Sequence, residues 1–169
     1  LDANKNVGWI IESLAKLERD DVWLWISGDG PQKDELIKKT AKLGLSRRVK
    51  FLGWQGDMPG IYCAVDLMVH AAWYDALPYV CMEAMSFAVP VVGPMNNWPK
   101  VISSMEYMIN DTKQGWLYDL QAPDGLSNAL RKALDNRDKL PEMGKSAQER
   151  EKTQLAWSRY INVVEGALK

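Results

Sequence analysis

Apolar residues recur at helical spacing over residues 7–17, where Trp9, Ile10, Ile11, Leu14 and Leu17 form one stripe and Glu12, Lys16, Glu18 and Arg19 fall outside it. The stretch V-W-L-W-I-S that follows reads as a strand. G-D-G-P ends it, because Gly28 and Gly30 permit tight backbone and Pro31 suits the first turn of the next helix. That helix covers residues 32–43 and closes at Gly44. R-V-K-F-L-G is a second strand ending at Gly53, residues 57–65 a short helix, and D-L-M-V-H-A a third strand. Residues 78–88 form another helix and V-P-V-V-G a fourth strand. Beyond it the pattern gives a short helix over 99–104, an extended piece over 108–117, and helices over 123–136 and from Pro141 onward.

Strands alternating with helices predict an α/β fold: a doubly wound, Rossmann-like parallel sheet with helices on both faces. Such sheets bind ligands at the carboxyl ends of their strands, near a switch in strand order. That rule puts G-D-G-P, the loop after Gly53 and residues 70–77 on one rim. The chain shows no internal repeat and no low-complexity linker.

One helix breaks the usual division of apolar and polar faces. From Ala76 to Pro99 the only charged side chain is Glu83, in a segment otherwise apolar all round. A lone buried charge is costly, so the pattern predicts a partner, and no Lys or Arg lies within a turn of it. With a helix starting at Pro78, backbone N–H groups from Leu77 and Tyr79 onward form an anion site strengthened by the helix dipole. Glu83 then sits about 8 Å further along the axis. A carboxylate at that distance from a phosphate cradle suits the two hydroxyls of a ribose, and Asp75, just before the helix, suits hydroxyls of whatever a diphosphate carries. The alternative, equally open on spacing alone, is that Glu83 pairs with a distant Lys in the core and Asp75 only caps the helix.

Composition narrows the classes. At 169 residues, 47% of them hydrophobic and 25% charged, the chain suits a soluble domain with a sizeable core. A net charge of -1 and a pI near 5.9 give no reason to expect nucleic acid. The densest basic stretch, residues 33–50, reads first as a solvated helix face plus loop, and secondly as a contact for phosphates or an anionic membrane. Cys63 and Cys81 sit inside apolar patterns and read as core residues of a reducing compartment. No long apolar run or signal peptide appears, so the expected location is cytoplasmic, with at most peripheral contact at the inner face of the cytoplasmic membrane. Leu1 is not methionine and D-A-N-K-N runs directly into the first helix, which reads as a piece of a longer protein.

The order K-N, G-D-G-P, V-K-F-L-G-W, D-L-M-V-H-A-A-W-Y-D-A-L-P-Y-V-C-M-E-A-M-S-F-A-V-P-V-V-G, then Q-G-W-L-Y resembles the C-terminal half of the retaining GT-B glycosyltransferases of family 4, over nearly the whole chain. The H-A-A-W-Y-D-A variant is similar to bacterial members that add hexoses to lipopolysaccharide core. The resemblance implies that residues 1–169 are the nucleotide-sugar donor domain of one half of a GT-B fold. The donor is then a nucleoside diphosphate hexose, UDP-hexose by preference, acting as substrate with no cofactor and no metal. A preceding acceptor domain of the same protein, outside this chain, takes the glycan or glycolipid acceptor.

Carried over residue by residue, the resemblance gives Asp75 the donor sugar and Glu83 the ribose. Ala76, Leu77, Pro78 and Tyr79 form the cradle for diphosphate and sugar, and Lys5 neutralises the phosphates. The loop at Gly53 and Trp54 reads the base, and Gly28, Asp29 and His70 belong to the same rim. Lys5 and Glu83 are the residues expected to matter most to catalysis. Asp75 is one methylene shorter than the family's glutamate, Pro78 replaces a glycine and removes an N–H, and Lys100 stands where an acidic residue is common. The family's first, central strand and an arginine near its end would precede Leu1.

His70, the only histidine, reads either as a catalytic base or as a group that orients the site or faces the partner domain. Trp73 and Tyr74 stack on a ligand, line the cleft or simply pack; Trp9, Trp23 or Trp25, and Trp157 fit core faces. Asp20-Asp21 lacks the D-x-D form of a metal-dependent transferase. Two readings compete with a transferase: a nucleotide-sugar epimerase of GT-B architecture, and a non-catalytic α/β binding or interaction domain.

Overall fold

The computed structural model describes residues 1–155. Its elements run α1 (Val7–Ala15), β1 (Leu24–Ser27), α2 (Lys33–Lys42), β2 (Val49–Gly53), α3 (Met58–Cys63), β3 (Met68–Val69), β4 (Tyr74–Asp75), α4 (Tyr79–Ser86), β5 (Val91–Pro94), β6 (Ile102–Ser103), α5 (Met105–Met108), β7 (Gly115–Tyr118), α6 (Gly125–Asp135) and α7 (Leu140–Arg150). Local chemistry explains several boundaries. Asp34 and Glu35 stand in the first turn of α2 and Lys39 and Lys42 in its last, each complementing the helix dipole, and Gly44 at φ +71° ends it. Asp57 caps α3 by accepting from the Gly60 N–H at 3.0 Å.

Every strand pairing between named strands is parallel. β5 is the centre of a sheet ordered β3-β5-β7, and its alternating residues split between two layers. Val92 joins the core built on Ile11 and Leu14 of α1 and Leu126 and Ala133 of α6, whereas Val91 joins Cys81 and Met85 of α4, Met105 of α5 and Ala147 of α7. Helices thus cover both faces, as the strand and helix alternation requires. Gly144 lies inside α7 because a Cβ there would collide with the Ala88 carbonyl, so α7 packs backbone-close on the turn after α4.

The sheet is not continuous. β1 pairs only with β2, and β3 only with β5. Between the facing edges of β1 and β3 lies a cavity of about 1530 Å³, lined by Leu24, Ile26 and Gly28 on one side and Met68, Val69 and His70 on the other. α1 packs on both α2 and α6 and spans the interruption, so a single apolar core still joins the two halves.

Several expectations need correction. Residues 99–104 are not a helix: Ile102 and Ser103 form β6, which pairs with Tyr74 and Asp75 of β4. The extended piece expected over 108–117 is a helical turn at Met105–Met108 followed, after a loop, by β7. Trp23 and Trp25 are exposed rather than core, with Lys50 Nζ 5.7 Å above the Trp23 ring. Cys63 is exposed, and only Cys81 is buried, where desolvation pushes its thiol far above the usual range. Trp157 lies outside the described residues.

Candidate functional site

The turn Asn4-Lys5-Asn6 and the strand β4 are seventy residues apart in sequence and adjacent in space. Asn4 ties them together: its side chain accepts from the Tyr74 N–H and donates to the Tyr74 carbonyl, both at 2.9 Å, while its own carbonyl accepts from the Trp73 N–H at 3.0 Å. Trp73 in turn stacks on Trp9 of α1, ring centroids 6.3 Å apart. This framework sets Lys5 Nζ 2.9 Å from Asp75 Oδ2. Asp75 therefore does not cap α4. The residue at that helix start is Pro78, and no side chain caps it.

His70 follows β3 and reaches the same carboxylate, Nε2 lying 3.5 Å from Asp75 Oδ2. It is 5% exposed, and Nε2 has no hydrogen-bond partner among the described residues. Its backbone carbonyl accepts from the buried Tyr118 hydroxyl at 2.8 Å. Desolvation drives the imidazole down to about 4, opposed by Asp75 and reinforced by Lys5, so at neutral pH it is uncharged. An uncharged imidazole beside a Lys–Asp pair adds no competing cation.

Glu83 is where the structure departs most from expectation. It is exposed, not buried, because α4 leaves one side uncovered, with Tyr79 and Phe87 also open to solvent. Its partner is no Lys or Arg: the Tyr62 hydroxyl from α3 donates to Glu83 Oε2 at 2.8 Å. No core lysine pairs with it among the described residues. Tyr62 was not singled out by the sequence, since a tyrosine in a short apolar helix carries no signal of what its hydroxyl meets. Asn4 was missed for the same reason.

The remaining predicted residues divide. Gly28 and Gly53 meet at the ends of β1 and β2, where the Gly28 N–H donates to the Gly53 carbonyl at 2.7 Å and both backbones take positive φ. Lys5, Gly28 and His70 line the cavity described above, together with Tyr62. Asp29 pairs with Lys33 at 2.8 Å at the start of α2, an ordinary surface ion pair. Trp54 is 80% exposed in the loop after β2. Ala76 and Leu77 are exposed and Pro78 is buried. Asp21 binds Arg19 and Arg137, which hold its carboxyl well below the usual range and mark it as structural. Lys33 and Lys39 in the basic stretch pair with Asp29 and Glu12, the solvated-face reading.

Residues 1–150 match the family model described as glycosyl transferases group 1. The lipopolysaccharide core biosynthesis glycosyltransferase LpsE of Rhizobium meliloti (strain 1021) is 33% identical over 138 residues, 80% of this chain and 38% of that protein. The lipopolysaccharide glucosyltransferase WaaG of Escherichia coli (strain K12) is 30% identical over 135 residues, 77% of this chain and 34% of that protein. Among solved structures, Anabaena HepE in complex with UDP superposes with a TM-score of 0.86 at 25% identity, over 99% of this chain and 46% of that one. The chain thus spans less than half the length of these relatives. No helix among the described residues is long and apolar enough to cross a membrane.

Proposed function

Because this chain belongs to the glycosyl transferases group 1 family, we propose that residues 1–169 are the donor-binding domain of a retaining glycosyltransferase. It transfers a hexose from UDP to a lipopolysaccharide-type glycan acceptor held by a further domain of the same protein. The observation that carries the reading is the Lys5–Asp75 pair at 2.9 Å, immediately before an uncapped α4. It places a cation for the phosphates and a carboxylate for a sugar hydroxyl at a helix start that favours anions. The relatives add support, since several are lipopolysaccharide glycosyltransferases and HepE has been crystallised with UDP.

In this reading the diphosphate lies against the backbone of Ala76, Leu77 and Tyr79. Lys5 Nζ is shared between Asp75 and the phosphates, and Asp75 takes a sugar hydroxyl. Glu83 receives the ribose, and the Gly53–Trp54 loop the base. Transfer breaks the bond between the hexose C1 and the diphosphate oxygen and forms one from C1 to the acceptor oxygen on the same face. The acceptor proton leaves with the diphosphate. Negative charge grows on the departing phosphate, and a fixed ammonium beside it lowers the barrier more than it stabilises the bound donor. Asp75 prevents that ammonium from wandering in the empty site. Neutral His70 lies beside Asp75, Nε2 3.5 Å from its carboxylate, and carries no proton for the reaction.

Calorimetric titration with UDP tests this. Wild type is expected to bind, and Glu83→Gln to bind about 10-fold to 100-fold more weakly, the loss expected for hydrogen bonds to a charged group. Folded protein that ignores UDP would overturn the reading.

A further inference from the structure

Glu83 is an exposed side chain with three rotatable bonds, and a free glutamate would lose considerable rotamer entropy on gripping a ribose. The structure does not leave it free. Tyr62 is 4% exposed, its ring stacked on Phe87 with centroids 5.6 Å apart, and its hydroxyl donates to Glu83 Oε2 at 2.8 Å. Phe87 lies one turn beyond Glu83 at the end of α4. One tyrosine is therefore held by α4 through its ring and holds a carboxylate of α4 through its hydroxyl. Burial and the neighbouring carboxylate raise the phenol well above its usual range, so it remains a donor throughout the working pH range. Among the described residues Oε1 of Glu83 accepts no hydrogen bond.

Resting on the donor-binding role given to Glu83 above, we propose that Tyr62 is a positioning residue for the ribose. It occupies Oε2 of Glu83 and holds the carboxylate so that Oε1 and the second lone pair of Oε2 receive the ribose hydroxyls. The same tyrosine links two parts of the donor site. α3, which carries it, begins at Met58, four residues beyond the Gly53–Trp54 loop assigned to the base, and is capped by Asp57.

The test compares UDP with 2′,3′-dideoxy-UDP, which keeps base and diphosphate but offers no ribose diol, on wild type, Glu83→Gln, Tyr62→Phe and the double variant. Tyr62→Phe keeps the ring and its stack on Phe87 and removes only the hydroxyl. It is expected to weaken UDP about fivefold, to leave dideoxy-UDP unchanged, and to add nothing in the Glu83→Gln background. Equal weakening of both ligands, or additive weakening in the double variant, would mean a merely structural tyrosine and overturn the proposal, as would unchanged UDP affinity. If wild type itself does not distinguish the two ligands, Glu83 binds no ribose, and the donor-site assignment fails along with this one. Phe87→Leu guards against a Tyr62→Phe that does not fold: loosening the stack should weaken UDP by a smaller factor, again without affecting dideoxy-UDP. An equal effect of Phe87→Leu on both ligands counts against the proposal.

Discussion

Lys5 Nζ and Asp75 Oδ2 lie 2.9 Å apart across seventy residues of chain, with the Asp75 side chain 17% exposed and the Lys5 side chain 47%. An ion pair whose lysine is open to solvent contributes little to stability, within about 1 kcal/mol. Lys5→Met should therefore leave the melting temperature almost unchanged, yet weaken UDP about 10-fold or more by removing the proposed charge-assisted phosphate contact. The deficit should shrink as salt rises, because screening weakens the wild-type contact. Thermal melts and titrations at two ionic strengths check both halves.

His70 offers a second measurement, since as the only histidine its ring protons give a single NMR titration curve. The folded value is depressed to about 4, so the unfolded chain binds the extra proton first, near its ordinary value of about 6.5. Stability from this group is complete above that value and declines as pH falls toward 4, by at most about 1.4 kcal/mol per pH unit. The groups facing the ring act in opposite directions: Asp75→Asn should lower the midpoint further, and Lys5→Met should raise it.

Asn4→Ala removes both hydrogen bonds to Tyr74. A loss of about 1 to 2 kcal/mol is expected, together with a displaced Lys5 and weaker UDP binding. Asn4→Asp retains the acceptor for the Tyr74 N–H but not the donor, and should fall between the two. Chemical denaturation and calorimetry separate the stability effect from the binding effect.

Gly144→Ala should cost about 1 to 3 kcal/mol, although alanine is the better helix former. The added methyl meets the Ala88 carbonyl, and α7 must lift from the end of α4 to admit it. An unchanged or raised midpoint in urea would show that the helix shifts freely.

What the sequence disclosed follows from element length. The period is readable in β1, β2, β5, α1, α2 and α6, which stand close to where the pattern puts them, but not in the four-residue α5. β4 and β6 have two residues each, too few for any alternation, and Pro99 drew the second of them into a helix. Trp23 and Trp25 show a related limit: an apolar run does not say which of its faces the fold covers, and that side of β1 lies open. The same ambiguity hid the exposure of Glu83. Its carboxylate was conspicuous as the one charge in an apolar segment, but the Tyr62 hydroxyl that answers it is twenty-one residues away on another element, a relation that no local spacing encodes. Asp75 was found by its place just before the helix and Lys5 by family pattern. Asn4, which brings them together, was found by neither.

The interrupted sheet leaves a trace at the level of single protons. The Leu24 and Gly28 N–H groups donate to the carbonyls of Arg48, just before β2, and Gly53, at its end, and those of Met68 and His70 to Pro90, just before β5, and Val92 within it. Because successive amides of a strand point to opposite edges, those of Trp25, Ser27 and Val69 point into the cavity between β1 and β3. Exchange with deuterated water should accordingly alternate residue by residue along these strands, slow where the amide is paired and fast where it is not. The two inner edges face each other as templates for a further extended backbone. Any segment that paired there would be detected first by the slowing of those three amides.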